Sequence, residues 1–454
     1  MLSLAGRLTQ SAWAVIVGLA VIGAYAALLG VGMARWSYDI WGALVVGPIL
    51  ALASWPLLAF ALRHEEDRWI RRIVVVALAG KIVGALARWA VALVLYDGVA
   101  DASRYDRQGA VIADQIHSGQ FAVDLGVPLL GTGFLILITG IVYAVIGPTL
   151  LGGYLVFAWL GFWGLYAFYR AFRIAMPGAN HRRYAVLVFF LPSLIFWPSG
   201  LGKEAWMTFG LGMATLGAAK LITGTGGAVV PFALGLLGTA MVRPHMTALV
   251  FVAAIAGFLL RRDMHRTPLT PVFRAITLAM LAVVGVLVAR QAASFFDVED
   301  VSAQSVTTVL NETAEDTARG GSAFQGEPVN SPLDMPLAAV TVLFRPFPWE
   351  IDNMQGLVTA AEGTFLLVLA LMSWGRLRNL WKFRAGRAYA VLCLVYLLLF
   401  VFAFSTFNNF GLLARQRSLV YPFLLALLCL PIAADLRRMV ADLRSAPRRG
   451  ATLS

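Results

Sequence analysis

Long apolar runs alternate with short polar turns along this chain. About 20 apolar residues in a helix cross the roughly 30 Å hydrocarbon core of a bilayer. We therefore predict an all-α, polytopic integral membrane protein with about 12 transmembrane helices. The predicted helices cover residues 12–32, 40–62, 73–96, 151–169, 185–198, 205–222, 227–241, 246–260, 272–290, 356–375, 388–405 and 418–434.

One further apolar run, "LLGTGFLILITGIVYAVIG" at 129–147, is long enough to span but is predicted not to. Counting it would move every later basic loop to the opposite side of the membrane. Four glycines interrupt it and Pro148 follows it. Irregular backbone at membrane depth persists only where it is buried in protein or lines a cavity. We predict a re-entrant or interfacial helix on the outer leaflet.

Basic residues orient the predicted helices. Cytoplasmic loops of membrane proteins carry an excess of Lys and Arg. Successive basic clusters here are separated by an even number of predicted helices, so one side of the membrane accommodates all of them. This predicts that both termini are cytoplasmic. The clusters occupy residues 63–72, 170–183, 261–274, 376–387 and 437–449.

The composition supports a single membrane-embedded domain over 1–454. Of the 454 residues, 60% are hydrophobic and 13% charged, which leaves no sizeable soluble domain outside the apolar runs. The net charge of +12 is explained by the basic loops and their contact with anionic membrane lipids, so no nucleic-acid partner is expected. Cys393 and Cys429 both lie in apolar runs, so no disulfide framework is expected.

The unusual polar residues fall on the predicted outward side, in five short turns. Solvated helix caps would explain any one of these turns, but five on one face indicate a site. The turns are "YDGVADASRYDRQG", "PSGLGKE", "VRPHM", "LFRPFPWE" and "FNNFGLLARQR". Their candidate site residues are Asp101, Arg104, Asp106, Lys203, Glu204, Arg243, His245, Arg345, Glu350, Asn408, Asn409, Arg415 and Arg417.

Two further candidate substrate-binding residues, Lys81 and Arg88, are cations predicted within a membrane helix. Lys81 and Arg88 lie seven residues apart, two turns along one helix face. At that depth a cation costs several kcal/mol unless it faces water, a partner or an anionic ligand. Alternatively, the two side chains snorkel to opposite interfaces. Arg290 and Glu362, in later helices, either form an ion pair or extend the same lining; the sequence leaves both open.

A long outward, periplasmic loop is predicted at 291–352. It carries ten acidic residues against two arginines, which makes it different from the basic inward loops. A long loop over a membrane cavity can act as a lid or as a guide for an acceptor, and a solvated acidic spacer is an equal alternative. Residues 337–350 are predicted to form a short surface helix ending in "RPFPWE".

The outward residue types suit phosphate chemistry. The guanidinium fork of arginine pairs with phosphate, and lysine adds a mobile charge. A carboxylate within hydrogen-bond reach can deprotonate an attacking hydroxyl. Together they predict sugar transfer from a polyprenyl carrier. The chain has no DxD, HExxH, CxxC or Walker motif, so no cofactor is required, although a divalent cation is possible.

The stretch from "VADASRYDRQGAVIADQIHSGQF" through "GTGFLILITGIVYAVIGPTLLGGYLVFAWLGFWGLYAFYRAFR" resembles the start of membrane glycosyltransferases of the GT-C superfamily. In that family an acidic first outward loop precedes a short helix and then a helix that ends in basic residues. The resemblance implies that Asp101, four residues before Tyr105, is the catalytic base. A second acidic motif, common in GT-C enzymes, is not evident unless Glu204 provides it.

The later turns resemble those of bacterial membrane polysaccharide polymerases of the Wzy or EpsG type, in which arginines hold a diphosphate. Both families use a polyprenyl-linked donor, and both likenesses cover most of the chain loosely. They imply a bacterial inner-membrane enzyme of cell-envelope or exopolysaccharide synthesis. Its partners would be a polyprenyl-linked sugar donor, a glycan or lipid-linked acceptor and, in one interpretation, a polysaccharide assembly complex.

The expected roles follow from these likenesses and from the residue types. Asp101, or Asp106 as the second choice, would activate the acceptor hydroxyl, and His245 would share that work or cap a helix. Asn408 and Asn409 would bind sugar hydroxyls or cap a helix end. The expected phosphate ligands are Lys203, Arg243, Arg415 and Arg417.

Two other functions remain open from the sequence. A transporter or flippase would use Lys81, Arg88 and Glu362 to line a pathway for an anionic or lipid-linked substrate. Many such proteins carry matched interrupted helices in two halves, and no such repeat is visible here. A non-catalytic partner in a polysaccharide export complex would leave the outward charges without a role.

Overall fold

The computed structural model describes residues 2–95, 101–261, 281–288, 290–291, 303–318, 331–351 and 354–433, with the single positions 275, 279, 324, 326, 328, 329 and 435. Throughout these residues the regular secondary structure is helical. The prediction of an all-α chain is confirmed. The basic tail at 437–449 and most of the basic loop at 261–274 lie outside the described residues.

The helices run in chain order as follows. They are α1 Leu2–Arg35, α2 Tyr38–Leu62, α3 Arg68–Val94, α4 Asp101–His117, α5 Phe134–Ile146, α6 Leu150–Ala175, α7 His181–Phe190, α8 Pro192–Phe196, α9 Lys203–Thr223, α10 Val229–Val242, α11 Pro244–Leu259, α12 Ala303–Thr317, α13 Met335–Phe344, α14 Met354–Met372, α15 Trp374–Leu377, α16 Arg387–Phe404, α17 Phe410–Arg417 and α18 Tyr421–Leu428.

Seven segments of the described chain are long and apolar enough to cross a membrane. This is compatible with a membrane protein, whereas the predicted count of about 12 stays a prediction. The segments are Val15–Arg35, Tyr38–Leu62, Arg68–Val94, Leu129–Ile146, Leu150–Ala175, Lys203–Thr223 and Arg387–Phe404. Of the helix predicted at 272–290, only residues 275, 279, 281–288 and 290 are described, and all are helical.

The prediction of one helix over 185–198 is wrong. α7 ends at Phe190, and Leu191 is extended with ψ of 127° before α8 begins at Pro192. A residue that precedes proline is disfavoured in the α region, and proline supplies no N–H to continue the helix. The segment is therefore a broken helix followed by the turn Trp197–Ser199.

The helix predicted at 418–434 is also shorter than expected. α18 covers only Tyr421–Leu428, with a turn between it and α17. Pro431 follows closely and cannot donate a backbone hydrogen bond, so the helix does not extend past it. The short helix predicted over 337–350 is present as α13, but it ends at Phe344 and is partly buried, and "RPFPWE" instead contains the separate turn Pro348–Glu350.

The segment at 129–147 combines a turn and a helix. Leu130 is extended and Gly131 has a φ of 79°, which a side chain would disfavour, and α5 follows. α5 packs against α4, and Gly109 of α4 permits this contact because a Cβ there would lie 2.6 Å from Thr139 Cγ2. By length and composition the segment is a candidate span, so its predicted interfacial placement stays a prediction.

α6 forms the centre of the bundle, where it packs against α2, α3 and α9. Its crossing with α9 depends on glycine. A Cβ on Gly164 would lie 2.5 Å from Thr208 O, and a Cβ on Gly212 would lie 2.2 Å from Gly164 O. Small residues let helix backbones approach closely in membranes. This packing fixes the first turn of α9 beside the C-terminal end of α3 and the N-terminal end of α6.

Candidate active site

A cavity of about 280 Å³ lies where the ends of α3, α4, α6, α9 and α17 meet. These elements are separated by long stretches of sequence, yet each contributes to the wall. The outward turns predicted to form one site therefore do converge in part. The lining residues are Arg88, Ala92, Asp101, Ala102, Tyr154, Trp197, Gly200, Leu201, Gly202, Glu204, Gly411, Leu412 and Arg415.

The turn before α9 places its first residues in the cavity wall. Gly200 packs against Arg88, since a Cβ there would lie 3.2 Å from Arg88 Cγ. Gly202 then precedes α9, whose first turn holds Lys203 and Glu204. A carboxylate in the first turn of a helix is stabilised by the positive end of the helix dipole. The local sequence "GLGKE" thus delivers a buried acid to the cavity.

The Glu204 carboxylate lies between two arginines. Its Oε1 is 2.7 Å from Arg415 Nε and 3.2 Å from Arg243 Nη2. The contact with Arg415 is an ion pair, and Arg243 Nη2 also donates a hydrogen bond to the same oxygen. The side chains are largely buried, with exposed fractions of 4% for Glu204, 13% for Arg243 and 19% for Arg415.

The network extends to the mouth of the cavity. Arg415 Nη1 donates to Asp101 Oδ2 at 2.9 Å, and the Asp101 side chain is 60% exposed. Arg243 Nη1 donates to Gln416 Oε1 at 2.5 Å. The neighbouring Glu204 and Asp101 carboxylates raise the pKa of the Arg415 guanidinium, which therefore keeps its charge.

Among the residues that the structure describes, cationic groups exceed carboxylates around this cavity. Arg243 and Arg415 share one Glu204 oxygen, and Lys203 lies close enough to interact electrostatically with both arginines. With Arg88 in the wall, four cations lie near the two described carboxylates, Asp101 and Glu204. A buried cation without full compensation is costly, and an anionic ligand removes that cost.

Arg88 reaches the cavity through aromatic contacts. Its guanidinium carbon lies 4.5 Å from the centre of the Trp197 ring and 5.0 Å from that of Phe196. Such cation–π contacts help to hold the arginine side chain in place. Of the two intramembrane cations predicted as ligands, Arg88 is the one that lines the cavity.

Lys81 lies elsewhere, although it was predicted to bind substrate. Its Nζ donates to Leu194 O at 2.8 Å, Pro198 O at 3.0 Å and Ser199 Oγ at 3.0 Å. Lys81 is 2% exposed and does not line the outer cavity. Its charge instead satisfies carbonyl groups at the end of the broken helix.

Glu362 holds the opposite end of the same broken helix. Its Oε2 accepts from Ser193 N at 2.7 Å, at the start of α8. Lys81 and Glu362 therefore complement the two ends of one short helix, as expected for the polarity of helix ends. Because the helix breaks at Leu191, its two ends provide backbone partners for the buried charges of Lys81 and Glu362, and no ligand is needed to explain them.

Arg417, predicted as a phosphate ligand, supports α13 instead. It is 1% exposed, and its Nε donates to Val342 O at 2.5 Å and its Nη2 to Thr341 O at 3.0 Å. These are carbonyls of the last turn of α13, which lack helical partners. Arg417 does not line the cavity.

The "RPFPWE" turn is held internally. Arg345 pairs with Glu350 at 2.5 Å, and Glu350 Oε2 also accepts from Phe347 N at 2.7 Å. The Arg345 guanidinium carbon lies 5.4 Å and 5.5 Å from the ring centres of Phe324 and Phe410. Neither Arg345 nor Glu350 lines the cavity.

The two asparagines of the "FNNF" turn act as structural contacts. Asn409 caps α17, since its Oδ1 accepts from Leu412 N at 3.1 Å. Asn408 binds the long outward loop through Gly326 N at 2.7 Å and Ala314 O at 3.0 Å. Of the two predicted alternatives, helix capping is the one observed for Asn409. Together the two asparagines connect the long loop to α17, the helix that carries Arg415.

Asp106 and Arg104, also on α4, do not line the cavity. Asp106 Oδ1 accepts from Tyr143 OH at 2.6 Å, and burial raises the pKa of Asp106. Arg104 is exposed and its Nε donates to Gln108 Oε1 at 3.3 Å. His245 lies in the first turn of α11, near enough to interact electrostatically with Arg243 and Lys203.

Sequence reasoning missed three residues of this site. Gln416 orients Arg243, and Tyr154 and Trp197 form cavity wall. Trp197 adjoins the glycine-rich turn and could have been included with it. Tyr154 lies in an apolar helix and Gln416 between two arginines, so neither gave a separate signal.

The fold and the cavity define an all-helical protein with candidate membrane spans and an arginine-rich cavity at one end of its bundle. Comparisons with protein-family models, with curated proteins and with solved structures found no match to this chain. The described residues contain no group of three or more His, Cys, Asp or Glu side chains placed to hold a metal ion, and a role for a divalent cation stays a prediction.

Proposed function

We propose that this protein is an integral-membrane glycosyltransferase or polysaccharide polymerase. It would transfer a sugar or oligosaccharide from a polyprenyl phosphate or diphosphate at the periplasmic face of the bacterial inner membrane. The observation that carries the proposal is the arrangement of Arg243 and Arg415 around a single Glu204 oxygen in the wall of the cavity.

The binding step uses this excess of positive charge. A diphosphate offers several oxygens with delocalised negative charge, and guanidinium groups bind such oxygens in pairs of charge-assisted hydrogen bonds. Arg415 and Arg88 line the cavity, while Arg243 lies behind Glu204. Lys203, in the same helical turn as Glu204, adds a further donor.

The transfer step uses Asp101. The Asp101 carboxylate accepts the proton of the acceptor hydroxyl while the hydroxyl oxygen attacks the anomeric carbon of the donor. The bond from that carbon to the phosphate oxygen breaks at the same time. The departing phosphate carries the negative charge, which the arginines stabilise. Because Asp101 and Arg415 are 2.9 Å apart, base and leaving group would lie side by side.

The transporter alternative is less well supported. It relied on Lys81, Arg88 and Glu362 as an intramembrane pathway, and two of these three residues contact the ends of the broken helix. A pathway for a charged substrate would need those groups to leave their backbone partners. The outer cavity, by contrast, needs no rearrangement of helices to receive a phosphate.

The test is replacement of Asp101 by Asn and of Arg415 by Ala, in cells whose own copy of the gene is deleted. We expect loss of the glycan product and accumulation of its lipid-linked precursor on the outer leaflet. Arg182→Ala is the matched control, because Arg182 is 63% exposed and paired with Asp67 outside this cavity.

Each outcome decides between functions. A normal amount of product in Asp101→Asn cells would remove the proposed base. Accumulation of the precursor on the inner leaflet, or defective lipid flipping in reconstituted vesicles, would favour the flippase. Equal effects of Arg182→Ala and Arg415→Ala would show that loss of any arginine impairs the protein.

A further inference from the structure

The long outward loop binds the turn between α16 and α17 through one residue of that turn, Asn408. The Asn408 backbone N–H donates to Thr317 Oγ1 at 3.0 Å, and Asn408 Nδ2 donates to Ala314 O at 3.0 Å. Both partners belong to the last turn of α12. Asn408 therefore holds the C-terminal end of α12 against this turn.

A second part of the loop binds the same asparagine. Asn408 O accepts from Phe324 N at 2.9 Å, and Asn408 Oδ1 accepts from Gly326 N at 2.7 Å. Gly326 permits this approach, because a Cβ there would lie 2.7 Å from Asn408 Oδ1 and 3.0 Å from Ser405 O. Asn408 thus commits both polar groups of its backbone and both of its side chain to the loop.

An aromatic stack extends this contact to α17. The ring centres of Phe324 and Phe410 are 3.9 Å apart, and the two rings are 2° from parallel. Phe410 is the first residue of α17 and is buried. The Arg345 guanidinium lies beside both rings, so the turn that follows α13 joins the same cluster. Stacked aromatic pairs add stabilisation beyond the apolar area that they bury.

α17 is a short connection between these contacts and the cavity beside Glu204. It has eight residues, and Arg415 lies about 7.5 Å along the helix axis from Phe410 and about 140° around it. Arg417 binds the C-terminal end of α17 to α13, whereas the loop binds its N-terminal end. Gly411 and Leu412 are exposed and form cavity wall. The loop therefore supports α17 from a face that points away from the cavity.

We propose that Asn408 and Phe324 are positioning residues for Arg415, and that the described part of the long loop is a clamp on α17 rather than a lid or a solvated spacer. This inference rests on the proposed function, because the clamp acts through a guanidinium that binds phosphate. Charge-assisted hydrogen bonds depend on both distance and angle, so a small displacement of Arg415 weakens them. Loss of the clamp should weaken phosphate binding although the Arg415 side chain is still present.

The experiment measures the affinity of the purified full chain for inorganic diphosphate. Asn408→Ala removes the two side-chain hydrogen bonds of the clamp, and Phe324→Ala removes the aromatic stack. Phe324→Tyr keeps the ring. Trp349→Ala is the matched control, because Trp349 lies in the same loop, is 80% exposed and stacks on Phe347.

The expected losses follow from the contacts removed. Asn408→Ala should weaken diphosphate binding about tenfold and Phe324→Ala about fivefold, since the first loses two hydrogen bonds and the second one aromatic stack. Phe324→Tyr and Trp349→Ala should stay within about twofold of the unchanged protein. Thermal midpoints report whether each variant is folded, and the Phe324 variants decide the matter if Asn408→Ala is not.

Combining these variants with Arg415→Ala separates positioning from general support of the fold. Arg88, Arg243 and Lys203 remain in that background and should still bind diphosphate, more weakly. If the clamp acts through Arg415, Asn408→Ala and Phe324→Ala should each change this remaining affinity by less than about twofold, because coupled residues are not additive. A role in general support would weaken binding by the same factor in both backgrounds.

Failure of this inference differs from failure of the proposed function. An unchanged affinity in folded Asn408→Ala and Phe324→Ala would overturn the clamp and keep the phosphate site. The same loss with and without Arg415, or an equal loss in Trp349→Ala, would also overturn the clamp. Absence of diphosphate binding to the unchanged protein would overturn the phosphate site and both proposals with it.

Discussion

Two ion-pair clusters, at opposite ends of α6, resemble each other in size but differ in how charges are matched. The outer cavity, named for its predicted side and lying beside Glu204, has a volume of about 280 Å³, and the cavity beside Glu65 at the other end of α6, here called the inner cavity, has a volume of about 210 Å³. The inner cavity is lined by Glu65, Asp67, Ile70, Tyr169, Arg173, Ala179, Asn180, His181 and Arg182. Both therefore combine carboxylates with arginines.

The inner cluster pairs each carboxylate with its own arginine. Arg173 donates twice to Glu65, through Nη2 at 3.1 Å and Nε at 3.3 Å, and Arg182 Nε donates to Asp67 at 2.7 Å. Arg173 Nη1 also donates to His181 Nδ1 at 3.0 Å. Each carboxylate of the inner cluster is therefore paired with one arginine.

In the outer cluster two arginines share one buried carboxylate, and one of them, Arg415, also pairs with an exposed one. Arg243 and Arg415 share one oxygen of Glu204, and the second acid, Asp101, is 60% exposed at the mouth. The presence of arginines beside acids does not by itself distinguish a site from a structural bridge. The proposed site rests instead on the excess of guanidinium over buried carboxylate among the described residues, which an anionic ligand would offset.

The largest effect is expected from Glu204→Gln, which removes the charge and keeps the size. Two largely buried guanidiniums then lose their shared partner, and breaking a buried pair costs about 3–5 kcal/mol. The thermal midpoint should fall strongly. Added diphosphate should restore more of it in the variant than in the unchanged protein, because the anion replaces the missing charge.

Glu65→Gln is the control at the other end of α6. It also removes a buried carboxylate, which is 2% exposed, and frees an arginine that is 37% exposed. Its thermal midpoint should fall without restoration by diphosphate. Equal restoration of both variants would contradict the distinction between the two clusters.

A smaller effect is expected from Arg243→Gln, measured as affinity for diphosphate. Loss of one of the two shared guanidiniums should weaken binding about tenfold, or about 1.4 kcal/mol, and reduce its dependence on salt. Arg173→Gln should destabilise the protein by leaving Glu65 unpaired and leave the affinity unchanged. Weakened binding in Arg173→Gln would mean that the inner cluster also takes part.

The convergence of the outward turns could be predicted in part from the sequence. Hydropathy and the positions of basic loops predicted that residues around 101, 203, 243 and 415 share one side, and their side chains form one network. The pattern constrains which end of a helix a residue occupies. It does not fix the face, which depends on neighbours far away in sequence.

Arg415 and Arg417 illustrate this limit. Two residues on a helix differ by about 200° around the axis, so one faces the cavity and the other faces α13. Lys81 illustrates a different limit. Lys81 binds carbonyl groups that are available only because the helix breaks at Leu191. The sequence pattern predicted one continuous helix, in which those carbonyls would already be hydrogen-bonded.

The smallest effect is expected from Asp106→Asn, which tests the assignment of the base within α4. Asp106 lies five residues after Asp101, on another helix face, where it accepts from Tyr143. An asparagine carbonyl can accept the same hydrogen bond, so product formation should stay within about twofold, whereas Asp101→Asn abolishes it.

The pH dependence of stability gives a second measurement on the same variant. Burial raises the pKa of Asp106 in the folded protein, so its contribution is fully present below the ordinary carboxyl pKa and is lost as pH rises through the raised value. The thermal midpoint of the unchanged protein should therefore fall relative to Asp106→Asn across that interval. A constant difference between the thermal midpoints of the two proteins would show that burial does not raise the pKa of Asp106. Loss of product in Asp106→Asn would instead move the catalytic role from Asp101 to the face of α4 that packs on α5.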